Sequence, residues 1–86
     1  MKTVHPVLYA KVGCPWCAEA RHVLVNSGVT FSERNVSVDP SAFAEMRRVS
    51  GQTKAPVLDW DGTILADFGS DELKPFLAAR LSPAKR

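Results

Sequence analysis

Pro15 constrains the fold of this chain more than any other residue. It follows the apolar run Val7-Leu8-Tyr9-Ala10 and the break Val12-Gly13-Cys14, and it precedes a segment with helical periodicity. Proline has no backbone N–H to give, which is costless in the first turn of a helix and costly deeper in. The chain is therefore expected to pass from strand to helix at this point. Val7 to Ala10 reads as a buried strand, Cys14 as the N-cap, and Trp16 to Asn26 as a helix. On or near the inner face of that helix fall Cys17, Ala20, Val23, Leu24 and, half a turn on, Ser27. Gly28 is its stop signal.

Val29 to Val36 alternates roughly by two and reads as a second strand, parallel to the first across the helix. Asp39-Pro40 or Ser41 opens a second helix that runs to about Val49, with Ala42, Phe43, Met46 and Val49 as its apolar face and Ser50-Gly51 as its end. Residues 52–56 form a loop. Val57 to Trp60 and Thr63 to Ala66 are short strands around Asp61-Gly62, a pair suited to a hairpin turn with positive φ at both central positions. A third helix starts at Gly69, Ser70 or Asp71, with Leu73, Phe76, Leu77 and Leu81 as its buried stripe. Pro75 is tolerable there if the helix begins near Asp71, because first-turn N–H groups lack a helical partner. The order β-α-β-α-β-β-α predicts an α/β fold with a mixed four-stranded sheet flanked by three helices.

A chain of 86 residues suits a single domain, 1–86, with residues 82–86 as a frayed basic tail. The net charge of +2 is spread evenly, with four basic and three acidic residues in 1–43 and seven and six in 44–86. This pattern gives no reason to expect a nucleic-acid partner. No apolar run approaches the ~20 residues that span a membrane, and the N-terminus has no export-signal pattern. A cytoplasmic monomer is expected. In that setting two cysteines point to redox, catalytic or metal chemistry rather than a structural staple. Zinc requires about four ligands, and His5 and His22 are not spaced to complete a set with the cysteines, so no metal is expected.

The chemistry concentrates in Lys11-Val12-Gly13-Cys14-Pro15-Trp16-Cys17. At a helix N-terminus Cys14 faces unpaired N–H groups and the positive end of the dipole, which favour its thiolate. Lys11 adds a positive charge nearby. Cys17 lies one turn inside, within reach of a mixed disulfide on Cys14 and more buried. One sulfur attacks and the other resolves, as thiol–disulfide exchange requires. Trp16 stands beside Cys14, either to stack on a substrate or as a surface aromatic without a role. Tyr9 belongs either near the site or in the core. Trp60 reads as sheet packing. Arg21, His22, Arg47 and Arg48 read as solvated positions. A second motif, Lys54-Ala55-Pro56-Val57, puts a proline directly before a strand. It is either a loop stop or a cis-proline that turns Ala55 towards Cys14.

Cys14-Pro15-Trp16-Cys17 after an apolar strand, Ser50-Gly51-Gln52 at the end of the second helix, and Ala55-Pro56 before a hairpin resemble the glutaredoxins over about residues 4–81. The resemblance implies a thioredoxin fold and a glutathione-dependent oxidoreductase acting on protein disulfides and protein–glutathione mixed disulfides. It implies Cys14 as the attacking cysteine, Cys17 as the resolving one and Pro56 as cis, with glutathione as co-substrate and no bound cofactor. For glutathione it implies Lys11 near the sulfur, Ala55 pairing by backbone, Gln52 or Thr53 at the glycine carboxylate, and Gly69, Ser70 and Asp71 at the γ-glutamyl end. The chain departs from the family where Lys54-Ala55-Pro56 replaces Thr-Val-Pro, and where Ala66-Asp67-Phe68-Gly69 stands at the usual Gly-Gly. Ala55-Pro56-Val57 and Asp39-Pro40 are also similar to the redoxins that feed ribonucleotide reductase and are reduced by thioredoxin reductase. A third alternative is an iron–sulfur carrier bridged through Cys14, which the stiff Cys14-Pro15 start disfavours.

Overall fold

The computed structural model describes residues 5–66 and 68–81, with side chains to residue 80. The elements follow the expected order: β1 (Val7–Ala10), α1 (Pro15–Asn26), β2 (Ser32–Asn35), α2 (Pro40–Ser50), β3 (Val57–Trp60), β4 (Thr63–Ala66) and α3 (Ser70–Leu81). Asp67, the Leu81 side chain and the 82–86 tail lie outside the described residues.

The strands form one four-stranded sheet in the order β2-β1-β3-β4. β1 pairs parallel with β2, and antiparallel with β3, which pairs antiparallel with β4. Asp61 and Gly62 turn the hairpin with φ of 52° and 94°, the combination that suits the twist of paired strands. Strand alternation sends neighbouring side chains to opposite faces. Leu8 and its partner Leu58 pack with Ala20, Val23 and Leu24 of α1 and Leu73 and Leu77 of α3. Tyr9 and its partner Val57 face the other way, onto Met46 of α2.

Two expectations are corrected. The second strand is shorter than Val29 to Val36. The Val29 N–H is drawn back to Leu24 O at 3.0 Å to close α1, and the first β2 residue, Ser32, donates to Pro6 O at 2.9 Å. At the other end Asn35 Oδ1 accepts from Ser37 N at 3.0 Å and Ser37 Oγ at 2.6 Å, a side-chain turn that competes with the ladder. Pro75 is the second difference. Because α3 begins at Ser70, Pro75 falls beyond the first turn and deprives the Asp71 carbonyl of its helical donor. Both residues are exposed, and the helix continues to Leu81.

α2 starts as expected. Asp39 caps it, its carboxylate accepting from Ser41 N at 3.0 Å and Ala42 N at 3.4 Å, with Pro40 in the first turn. Tyr9 is a core residue, 1% exposed.

Candidate active site

The site begins where β1 runs out. Gly13 has φ of 75°, a left-handed backbone that a side chain would strain. The Val12 N–H donates to Ser37 Oγ at 3.0 Å and ties this turn to the loop after β2. Cys14 then caps α1 with an extended backbone, φ −93° and ψ 110°. Its carbonyl accepts the first helical bond, from Ala18 N at 3.1 Å, and its Sγ accepts the Cys17 N–H at 3.2 Å. A serine or aspartate would use its oxygen in this way; here sulfur takes the place of the cap. Negative charge on that sulfur meets a donor already aimed at it and the positive end of the helix.

Cys14 is partly exposed and Cys17 is fully buried, and both are free thiols. Burial, followed by the contact with Cys14, pushes the Cys17 thiol up to about 11. The Lys11 backbone N–H and the charge of Arg21 act in the opposite direction. The pair is therefore asymmetric, with an accessible sulfur in front and a protonated reserve behind it. Trp16, between them in sequence, is 60% exposed.

The Ala55–Pro56 bond is cis, and Pro56 is buried ahead of β3. Trp16, Ala55 and Pro56 share a cleft of about 500 Å³ with Gly69, Ser70 and Asp71. The start of α3 explains its polarity. Gly69 O accepts from Glu72 N and Leu73 N, and the Gly69 N–H is taken by Glu72 Oε1 at 2.8 Å. The N–H groups of Ser70 and Asp71 are the remaining first-turn donors. Glu19 and Glu72 add carboxylates to the lining. Phe68 also lines this cleft, but the residue is only 4% exposed and packs into the core under α1 and α3.

Lys11 lies elsewhere. With Cys14, Arg21 and Glu33 it lines a second cleft of about 390 Å³. Arg21 grips Glu33 at two points, at 2.8 and 2.5 Å, which holds the Glu33 carboxyl below its ordinary value. Gln52 and Thr53 line neither cleft; Gln52 spends its N–H on Ser50 Oγ at 3.0 Å. Thus Ala55, Pro56, Gly69, Ser70 and Asp71 are brought together, Lys11 joins Cys14, and Gln52 and Thr53 stand apart. Sequence reasoning passed over Glu19, Glu72 and the Arg21–Glu33 pair. Only Glu72 left a usable signal, standing three residues after Gly69 at capping-box spacing, masked because the cap is a glycine. Among the described residues no group of three or more His, Cys, Asp or Glu side chains is placed to hold a metal.

The glutaredoxin family model matches residues 7–65. The chain is 33% identical over 66 residues to a glutaredoxin-like 8.6 kDa protein of the rubredoxin operon of Clostridium pasteurianum, covering 77% of this chain and 88% of that one. It is 32% identical over 66 residues to glutaredoxin 3 of Escherichia coli K12, covering 77% of each. Among solved structures, a thioredoxin-like protein superposes with a TM-score of 0.77 at 25% identity, over 84% of this chain and 97% of that one. The matched stretch is the one that builds the cysteine cap and the cis-proline edge, and on that agreement the chain belongs to the glutaredoxin family, whose members are thiol–disulfide oxidoreductases.

Proposed function

We propose that this glutaredoxin uses glutathione to reduce protein disulfides and protein–glutathione mixed disulfides. The observation that carries the reading is the juxtaposition of two features. An accessible cap sulfur is backed by a buried one, and the same helix turn borders a cleft that combines a backbone edge at Ala55 with free first-turn N–H groups. The Cys14 thiolate attacks one sulfur of the substrate disulfide, and the other leaves as a thiol. Cys17 or a glutathione thiolate then attacks the mixed disulfide at Cys14 and releases the second product. In the cleft, Ala55 pairs by backbone with the cysteinyl unit of glutathione. The N–H groups of Ser70 and Asp71 receive its γ-glutamyl carboxylate beside Gly69, and the Asp71 carboxylate answers the neighbouring ammonium. Lys11 supplies charge on the Cys14 side. A dithiol without a structural staple fits a reducing compartment such as the cytoplasm.

A second reading draws on a specific feature. Glu19, Asp71 and Glu72 all line the cleft, and Glu72 occupies the Gly69 N–H, so an anionic tripeptide meets like charge that repels it. A redoxin reduced by thioredoxin reductase has no such conflict.

The deciding experiment is turnover of a glutathione mixed disulfide with glutathione, glutathione reductase and NADPH, beside the same assay with thioredoxin reductase. Glutathione-supported turnover is expected, abolished in Cys14→Ser and retained in Cys17→Ser. Turnover with thioredoxin reductase alone transfers the assignment to the second reading. A Cys14→Ser variant as active as wild type would refute both.

A further inference from the structure

Arg21 follows Cys17 by four residues on α1, which puts the two on the same side of the helix. Cys17 is fully buried, whereas the Arg21 side chain is 43% exposed. The guanidinium is held in place, because Nε and Nη2 donate to the two Glu33 oxygens in a planar fork from β2. Arg21 and Glu33 line the cleft that holds Cys14. An interior thiol must lose its proton before it can attack, and burial opposes that loss. The field of Arg21 acts on Cys17 against burial. Lys11 is the other cation of this cleft, and on Cys17 it is its backbone N–H rather than its charge that counts against the rise.

We infer that Arg21, clamped by Glu33, is a positioning residue for the resolving step, its charge stabilising the Cys17 thiolate as it forms and so hastening closure of the Cys14–Cys17 bond. This rests on the thiol–disulfide exchange read above. In that step the Cys17 proton goes to solvent and its sulfur electron pair forms the new S–S bond. The bond between Cys14 and the substrate sulfur breaks, and the departing thiolate takes up a proton. Across the cycle the cysteine pair loses two electrons and the substrate disulfide gains two.

Loss of one neighbouring cation commonly lowers a thiolate population about tenfold. The more basic sulfur is also a better nucleophile, which returns about threefold. The net expectation is a resolving step slowed about threefold.

The test is stopped-flow reaction of the reduced protein with 2,2′-dithiodipyridine, a neutral disulfide on which Arg21 exerts no charge attraction. The first pyridinethione reports attack by Cys14 and scales with reagent concentration. The second reports attack by Cys17 and does not, and Cys17→Ser removes it. Arg21→Gln is expected to slow the second phase about threefold with the first intact, and Arg21→Lys to restore most of the rate. An unchanged second phase in Arg21→Gln, equal slowing of both phases, or Lys performing no better than Gln overturns the inference. Absence of even the first phase in wild type overturns the disulfide chemistry beneath it.

Discussion

On one face of the sheet, α1 and α3 close over a cluster of eight buried residues that includes Leu8, Leu24, Leu58 and Leu73. On the other face α2 closes over three, Tyr9, Met46 and Val57, with a fringe of partly buried apolar residues that includes Phe43 and Val49 and with polar contacts beside it. The Glu45 charge acts on the Tyr9 phenol, Arg34 pairs with Glu45 at 3.1 Å and with Asp39 at 3.9 Å, and Asp39 caps the helix. The apolar face carries α1 and the start of α3, the two helix N-termini at the site. Close packing is unforgiving of small shifts, and a cap sulfur and a backbone cleft both depend on helix ends held in place. The α2 face contributes less to the chemistry and is fastened by contacts of smaller individual worth.

The comparison can be broken first in the core. Leu24→Ala is expected to cost about 3–4 kcal/mol and Met46→Ala about 2–3 kcal/mol in denaturant unfolding. The reverse order would show that α2 carries more of the fold than its small cluster suggests. A smaller effect tests the polar attachment. Tyr9→Phe removes a buried phenol on which the Glu45 charge acts and is expected to cost about 1 kcal/mol. In wild type, burial first and the Glu45 charge second push the Tyr9 phenol up to about 12. The stability it contributes is full below the ordinary tyrosine value of about 10 and is lost as pH rises through about 12. A phenolate midpoint near 10 by ultraviolet titration would contradict the link to Glu45.

The smallest effect is expected at the Arg21–Glu33 clamp, which is half in solvent. Glu33→Gln should cost under about 1 kcal/mol. Because Arg21 holds the Glu33 carboxyl below its ordinary value, the contribution is present above the unfolded carboxylate value and fades as pH falls through the folded one. Wild type and variant should converge in acid. A gap that widens there would mean the carboxylate is not what the clamp stabilises.

Much of the fold was legible because its signals are local and agree with one another. Pro15 marks the strand-to-helix switch, Asp39-Pro40 the second cap, and Asp61-Gly62 the hairpin. β2 was overextended because alternation alone does not show that the Val29 N–H is already committed to α1. Pro75 was misjudged because a helix start at either Ser70 or Asp71 leaves it past the first turn, where its missing donor matters. Within the site, the residues on the cysteine turn and beside Pro56 could be named because their positions follow from backbone signals. Glu19 and the Arg21–Glu33 clamp could not, because which exposed charges meet is set by how α1 lies on β2 and α3. That is a tertiary outcome without a short-range pattern.

One consequence follows from the exposure of Trp16. Its indole stands in water within the motif whose two sulfurs change oxidation state, whereas Trp60, the second tryptophan of the chain, is packed edge-on against Phe76 at 6.3 Å. The protein therefore carries an intrinsic fluorophore at its own reaction centre. Emission from Trp16 will follow closure of the Cys14–Cys17 bond, or arrival of a peptide on the cleft, without any attached dye, against a steadier background from the packed ring.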